Sequence, residues 1–222
     1  MSDILTRLPS VQPDAPVQAA HDRVYRGLRQ QIMHGELPPG HALTLRGIGK
    51  SFGVSMTPAR EAVRRLSAEG ALTMSGSGRV TTPELSNDRI EELAQIRALL
   101  EPELGSRALR RAHLALIDRM DAINEANARA VNRQDPISYI RTNLEFHRTL
   151  YLRAQSPAIL GLLETVWLQL GPTMRELYTR LRRTTPPPHH RHILEALRAG
   201  DDAALRLAIR TDVTQGLKHL QG

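Results

Sequence analysis

A chain of 222 residues with no cysteine excludes a disulfide framework, a zinc ribbon and a thiol nucleophile, and is typical of a protein of the reducing cytoplasm. Its 41% hydrophobic residues support a folded core, but no apolar run reaches membrane-spanning length and the N-terminus lacks the layout of a secretion signal. The net charge of +7 is unevenly spread, because residues 44–79 hold six basic side chains against two acidic ones. The six are Arg46, Lys50, Arg60, Arg64, Arg65 and Arg79. A polyanionic partner is therefore expected for this short stretch.

The first elements in chain order are an arm and a helix. Residues 1–16 contain three prolines and no periodicity, which predicts a loose arm. Apolar residues then recur at helical spacing, so we predict a helix from Gln18 to His34 that ends at Gly35. These residues are Val24, Tyr25, Leu28 and Ile32. The two prolines in residues 37–40 predict a tight connection to the next helix.

Residues 44–66 carry the signature of a helix-turn-helix. Thr44 is placed to cap a short helix, and Gly53 can supply the left-handed residue that ends it. A second helix is predicted to start near Thr57, because Pro58 suits a first-turn position that needs no amide hydrogen. Two short helices joined by about three residues form a helix-turn-helix.

The second of these helices has two different faces. Four apolar residues form one stripe, and they are Ala59, Ala62, Val63 and Leu66. Thr57, Arg60 and Arg64 stand at i, i+3 and i+7, so they can point outward together. This pattern predicts a recognition helix for the major groove of double-stranded DNA. The alternative is that the basic face is simply a solvated surface of a helical bundle.

Two short β-prone runs follow the recognition helix. They flank residues 75–78, which read Ser-Gly-Ser-Gly, so we predict a hairpin with a small tip. A hairpin directly after a recognition helix is the wing of a winged helix. Gly78 and Arg79 are then expected near the DNA backbone or the adjacent minor groove.

From Ser86 onward the chain predicts helices throughout. Their expected bounds are Asp88–Arg111, His113–Arg133, Pro136–Ala154, Pro157–Leu181, His189–Ala199 and Asp202–Leu220. The buried stripe of the first of them is expected to consist of Ile90, Leu93, Ile96, Leu100 and Leu104. Residues 184–188 hold three consecutive prolines and predict a stiff loop. The fold class is therefore mostly α, with a winged helix-turn-helix at 17–83 and an all-α six-helix bundle at 84–222.

The residues of the first domain resemble the GntR family of bacterial transcription regulators. The stretches that carry the resemblance are Leu37–Gly40, Leu43–Arg46, Gly53–Leu66 and Glu69–Gly70. The resemblance implies that the DNA-contacting positions are Arg46, Thr57, Arg60, Arg64 and, in the wing, Gly78. It also implies a homodimer on a near-palindromic operator. Met56 stands where the family commonly has arginine, and Leu45 where glutamate is common, so the operator sequence is not inherited.

The second domain resembles the FCD (FadR C-terminal) branch of that family, and its six helices resemble the VanR-type subgroup. The stretches concerned are Arg97–Pro102, Leu144–His147 and His190–Asp201. The resemblance implies a metabolite-sensing domain in which Arg97 clamps the carboxylate of a small effector. From spacing alone, Arg97 and Glu101 also fit a surface ion pair at i and i+4.

A metal site is the further expectation for this domain. Asn143 and His147 are four positions apart, so both project from one face of one helix and suit a single cation. The FCD resemblance adds His190 and Asp212, at positions where the family has histidines; it normally has aspartate where Asn143 stands. The set implies a divalent ion such as zinc, nickel, manganese or iron, with a shift toward oxygen-binding metals. The alternative is that Asn143 and His147 form a hydrogen-bonded pair in the core.

The sequence therefore predicts a cytoplasmic bacterial regulator that binds DNA, most simply a repressor, with a small carboxylate effector. Trp167 and Tyr139 are expected to pack in the core. One alternative is a constitutive DNA-binding regulator with a vestigial pocket. The other is a metal-dependent helical enzyme fused to a DNA-binding module, but the chain offers no general base beside the candidate metal ligands.

Overall fold

A computed structural model describes residues 15–76, 78–181 and 189–218 of the chain. The N-terminal elements are α1 (Ala15–Met33), β1 (Ala42–Leu43), α2 (Leu45–Phe52), α3 (Met56–Ala68), β2 (Thr73–Met74) and β3 (Val80–Thr81). The C-terminal α-helices are α4 (Asn87–Leu109), α5 (Leu114–Asn132), α6 (Pro136–Tyr151), α7 (Pro157–Leu181), α8 (His189–Ala199) and α9 (Asp202–Lys218). The mostly α fold and the six helices after the winged helix are confirmed.

The helix-turn-helix forms through the local signals that predict it. The Thr44 hydroxyl accepts a hydrogen bond from the Gly47 amide at 3.0 Å and caps α2. Gly53 ends α2 with φ of 64°, in the left-handed region. Helix α3 begins at Met56, one residue before the predicted start. Helix α1 begins at Ala15, so the last two residues of the predicted 1–16 arm are helical, and residues 1–14 lie outside the described range.

The wing is a hairpin joined by a third strand that the sequence pattern did not predict. Strands β2 and β3 pair antiparallel, with Met74 opposite Val80. Strand β1 pairs with the other edge of β3, with Leu43 opposite Val80, so the strand order is β1-β3-β2. Gly78 has φ of 80°, and Ser77 at the tip lies outside the described residues.

The winged helix packs directly on α7 of the second domain. Leu168 of α7 is fully buried within the winged-helix core, beside residues such as Leu28 and Leu66. Gly171 allows the close approach of the two domains, because a Cβ atom there would stand 2.2 Å from the Ile32 carbonyl oxygen. The two domains therefore share one continuous region of packing along α1 and α7.

The helices of the second domain agree with the predicted bounds to within a few residues. Helix α6 continues in a 3₁₀ turn at Leu152–Ala154. The predicted 184–188 loop lies outside the described residues, as do the predicted last two residues of the final helix, 219–220. Within the part of the chain that is described, no helix is both long and apolar enough to cross a bilayer.

The prediction that Ile96 belongs to the buried stripe of α4 is wrong. Ile96 is 36% exposed, whereas the neighbouring Arg97 is only 5% exposed and Glu101 is fully buried. Ile90, Leu93 and Leu104 are buried as predicted, and Leu100 is partly buried. The interior therefore contains the Arg97–Glu101 ion pair at positions that the apolar pattern does not predict to be buried. Two opposite charges can be buried together because each compensates the other.

Candidate functional site

The predicted DNA-contacting side chains form an exposed surface. Arg46 at the start of α2 and Thr57, Arg60 and Arg64 on α3 are all exposed. The opposite face of α3 is buried, and its fully buried residues are Ala59, Ala62, Val63 and Leu66. Helix α3 therefore presents the predicted polar face outward while its apolar stripe anchors it to the domain.

The basic residues of this region divide into two kinds. Among the described residues, Arg46 and Arg60 form no ion pair, and Arg64 has only an exposed pair with Glu61 at 3.4 Å. Arg65 points the other way, since its guanidinium carbon lies 3.6 Å from the centre of the Tyr25 ring and its Nε lies 3.4 Å from Glu69. Arg65 thus holds α3 against α1 and is not part of the DNA-facing set.

The two departures from the family pattern occupy different environments. Met56 is 51% exposed at the first position of α3, so an apolar side chain stands among the DNA-facing residues. Leu45 is half-buried and packs against the winged-helix core. Met56 therefore places an uncharged side chain on the exposed start of α3 where an arginine would place a cation, whereas Leu45 packs within the fold.

Three of the four predicted metal ligands come together from three helices. His147 of α6, His190 of α8 and Asp212 of α9 each offer a donor atom, and these atoms all lie within 4.8 Å of one another. Asn143 stands one turn before His147 on α6 and is half-buried. Metal–ligand bonds of about 2.0–2.2 Å keep two ligands of one ion within about 4.4 Å, so the cluster needs only a small closure to hold one.

The hydrogen bonds of the two histidines engage Nδ1 of each ring. The Tyr151 hydroxyl donates to Glu101 Oε2 at 2.9 Å, so its oxygen accepts from Nδ1–H of His147 at 3.3 Å. His190 Nδ1 donates to Asn124 Oδ1 at 3.1 Å, because an amide oxygen can only accept. Nδ1 of each ring is engaged in this way, which leaves Nε2 as the atom that a metal ion would bind in the neutral form of the ring.

The cluster also has the charge that a cation requires. His147 Nε2 lies 3.0 Å from Asp212 Oδ2, the distance of an ion pair when the ring is protonated, so a metal ion would take the place of that proton. Burial lowers the pKa of His190 to about 4, so its ring is neutral at pH 7. Burial alone would raise the pKa of Asp212, but His147, His190 and Arg97 outweigh it and hold the pKa below its usual range. Two imidazole nitrogens and a carboxylate therefore fit a divalent cation.

A buried polar network adjoins the cluster and contains the predicted effector residue. Arg97 Nε donates to Glu101 Oε1 at 2.5 Å, and Trp167 Nε1 donates to the same oxygen at 3.1 Å. Burial would lower the pKa of Arg97, but the charge of Glu101 and its hydrogen bond prevail and raise it. Neither Nη atom of Arg97 has a hydrogen-bond partner among the described residues. The surface ion-pair interpretation is wrong for this pair, because both side chains are buried.

Sequence reasoning missed three members of this network. Glu101 connects Arg97, Tyr151 and Trp167, yet the pattern presented it only as an ion-pair partner. Tyr151 follows His147 by four positions, as His147 follows Asn143, so one more turn of the same spacing would have found it. Trp167 is buried, as predicted, but its indole N–H is a member of the network rather than packing alone.

Two protein-family models match the chain. The model of "Bacterial regulatory proteins, gntR family" matches residues 20–80, and the FCD domain model matches residues 92–215. The chain is 26% identical over 198 residues to the HTH-type transcriptional regulator McbR of Escherichia coli K12, covering 88% of this chain and 90% of that protein. It is 27% identical over 152 residues to the gluconate operon transcriptional repressor of Bacillus subtilis, covering 68% and 60%.

Solved structures share the fold. The structure of E. coli McbR/YncC aligns with a TM-score of 0.80 at 25% identity, over 91% of this chain and 99% of that one. A putative GntR transcriptional regulator from Rhodococcus sp. RHA1 aligns with a TM-score of 0.77 at 21% identity, over 92% and 99%. Both likenesses extend across the two domains.

Proposed function

We propose a regulatory mechanism for this chain from one premise, that it belongs to the GntR family of bacterial regulatory proteins and carries an FCD domain. It is a DNA-binding transcription regulator and not an enzyme. Beyond this, we propose that it is a repressor that acts as a homodimer in the cytoplasm, where the bacterial chromosome lies. A twofold dimer sets two α3 helices about one duplex turn, roughly 34 Å, apart, which suits a near-palindromic operator. The B. subtilis relative, named as a repressor, supports the sign of regulation.

The finer proposal is that a divalent metal ion and Arg97 together bind a small carboxylate. His147, His190 and Asp212 would hold the ion, with Asn143 as a fourth ligand from α6. The observation that carries this is the convergence of one ring nitrogen from each histidine and one Asp212 carboxylate oxygen within 4.8 Å of one another. When bound, the ion supplies a positive centre for a carboxylate oxygen. The free Nη atoms of Arg97 suit the bidentate recognition of the same group.

Helix α7 offers a route from this pocket to the DNA-binding domain. Trp167 Nε1 donates to Glu101 in the pocket network, and two positions later Gln169 Nε2 donates to the Glu69 carbonyl at 3.1 Å. Glu69 is the residue that ends the recognition helix α3. Leu168, between the two, is buried in the winged-helix core. A change at Glu101 that moves Trp167 would therefore also move the contact that positions the end of α3.

The first test is the metal content of protein purified without chelator. We expect about one equivalent of divalent metal per chain, lost on His147→Ala. The control is His192→Ala, because His192 lies on α8 but is exposed and outside the cluster. Retention of metal by His147→Ala, or a metal-free wild type after reconstitution, would contradict the site.

The second test is operator affinity with and without small carboxylates. We expect a carboxylate to change the affinity for DNA, and the operator to change the affinity for that carboxylate by the same factor, because coupling between two sites is reciprocal. If neither metal nor carboxylate alters DNA binding, the chain is a constitutive regulator with a vestigial pocket. Arg97→Ala should remove the carboxylate effect and leave the metal in place.

A further inference from the structure

A basic cleft of about 480 Å³ lies at the far end of the second domain from the winged helix. It forms where the C-terminal end of α4 meets the turn before α7 and the first turns of α9. Four arginines line it, and they are Arg107, Arg110, Arg111 and Arg206. Its volume falls within the range of small-molecule sites. None of these residues belongs to the metal cluster or to the Arg97 network.

Two of the four arginines are held in place by carboxylates. Glu103 accepts from Arg107 Nε at 2.8 Å through one oxygen and from Arg206 Nη2 at 3.0 Å through the other. Asp202 accepts from Arg206 Nε at 3.0 Å. Arg107 Nη1 also donates to the Ser156 hydroxyl at 3.3 Å. Arg107 and Arg206 are thus fixed at the wall of the cleft.

The other two arginines form no ion pair with a carboxylate among the described residues, and Arg110 acts on Asp202 only through its charge at longer range. Arg111 Nη1 donates to the Arg107 carbonyl at 3.3 Å, and Arg110 forms no ion pair or hydrogen bond within the described ranges. Both are exposed at the C-terminal end of α4. Four guanidinium groups against the carboxylates of Glu103 and Asp202 leave an excess of two positive charges. An anion that enters the cleft would relieve the repulsion between them.

We propose that this cleft binds the phosphate group of a small phosphorylated metabolite. A phosphate monoester carries about −1.5 to −2 charges at pH 7, which matches the excess of two. The planar guanidinium fork matches phosphate oxygens bidentately, and four such groups line the cleft. The site is separate from the carboxylate pocket, since Arg110 follows Arg97 by 13 positions, or about 20 Å along α4.

The position of the cleft favours a small molecule over the operator backbone as the source of the phosphate. Helix α4 begins at the connection to the winged helix and has 23 residues, so its C-terminal end lies about 34 Å away along the helix axis. The exposed arginines of the recognition helix are in the other domain. Phosphate binding in the cleft is therefore expected to leave operator contacts untouched.

The test is calorimetric titration with inorganic phosphate and then with a sugar phosphate. We expect saturable binding by the wild type, weakened at least about tenfold by the double substitution Arg110→Ala with Arg111→Ala, since hydrogen bonds to charged groups are among the stronger ones. The control is Arg129→Ala with Arg133→Ala, which removes the same charge from an exposed helix end outside the cleft.

Each other outcome overturns the proposal. Equal binding by the Arg110/Arg111 double variant, or equal loss in the Arg129/Arg133 control, would leave an adventitious ion only. A weaker affinity of the Arg110/Arg111 variant for operator DNA, with no change in phosphate binding, would make the duplex backbone the partner. Unchanged thermal melting of the double variant would exclude misfolding as the cause of its loss.

Discussion

The exposed face of α3 and the buried polar network around Glu101 use arginine in opposite ways. Arg60 is exposed on α3 and forms no ion pair with a carboxylate among the described residues. Its charge is therefore available to a phosphate group and is screened by salt in the unbound protein. Arg97 is 5% exposed and bound by Glu101, which fixes its direction before any ligand arrives. The first arrangement contributes little to the stability of the fold and can contribute strongly to binding. The second makes stability and recognition depend on the same contacts.

The largest expected effect comes from removing Glu101. Glu101→Ala leaves the buried guanidinium of Arg97 without its counter-charge, and Tyr151 and Trp167 without their acceptor, so the free energy of unfolding should fall by about 3–5 kcal/mol. Urea denaturation measures it. The matched control is Glu61→Ala, which breaks the exposed pair with Arg64 and should cost less than about 1 kcal/mol.

A double variant makes this comparison sharper. If Arg97→Leu is added to Glu101→Ala, neither charge of the buried pair remains, so the double variant should be more stable than Glu101→Ala alone. A double variant as unstable as the single would mean that the loss comes from Tyr151 and Trp167 rather than from Arg97. Equal, small losses from Glu101→Ala and Glu61→Ala would contradict the buried network altogether.

The next effect tests the contact between the two regions. A Cβ atom at Gly171 would stand 2.2 Å from the Ile32 carbonyl oxygen, so Gly171→Ala should push α1 from α7 and cost about 1–3 kcal/mol of unfolding free energy. Gly161→Ala is the control on the same helix, because a Cβ there meets no atom within 4 Å and alanine favours the helix. Thermal melting of both variants decides the matter, and equal melting temperatures would refute the close approach.

The helix-turn-helix could be predicted because its signals are local. The Thr44 cap, the left-handed Gly53 and the i, i+3, i+7 spacing of Thr57, Arg60 and Arg64 all lie within about 20 residues. Each signal depends only on backbone geometry that the nearby sequence determines. The helices themselves follow from capping and periodicity. The resemblance to a family contributes the expectation of which residues contact DNA.

The pocket could be predicted only in part because its contacts are long-range. Glu101 receives hydrogen bonds from Tyr151 and Trp167, which are 50 and 66 positions away. Hydrophobic periodicity places Ile96 in the core because the pattern considers only which residues are apolar. The burial of Arg97 depends instead on its ion pair with Glu101, which an apolar pattern does not include. Asp212 was reached by family resemblance alone. Strand β1 and the burial of Leu168 in the winged-helix core have the same cause, since each depends on a distant segment.

Loss of an exposed arginine should act on DNA binding alone. Arg60→Ala, and separately Arg64→Ala, should each weaken specific operator binding by about 1–3 kcal/mol without changing the melting temperature. Arg65→Ala is the matched control on the same helix, because Arg65 packs on Tyr25 and should affect stability rather than base recognition. Fluorescence anisotropy with operator and non-operator duplexes measures both. Wild-type affinity in the Arg60/Arg64 double variant would refute the assignment of α3 as the recognition helix.

The smallest effect tests whether the two regions communicate through α7. Gln169→Ala removes the contact of its side chain with the Glu69 carbonyl and with Arg89 Nη2, which lies 3.0 Å from Gln169 Oε1. Stability and operator affinity without effector should change little, because Gln169 is only partly buried. The shift in operator affinity caused by a carboxylate should fall by about 0.5–2 kcal/mol.

Thr165→Ala is the control for this measurement, since Thr165 lies one turn earlier on α7 and its exposed hydroxyl bonds only to the Gly161 carbonyl at 3.2 Å. A full effector response in Gln169→Ala would exclude this route and direct attention to α4, which is joined to the winged helix, and to α6, whose Arg141 donates to Glu36. A response lost in both variants would indicate a general effect on α7 and not a specific contact. If the effector response is lost in Gln169→Ala and retained in Thr165→Ala, the Gln169 contact transmits the change from the pocket to α3. A general loss of stability could not produce that difference between the two variants.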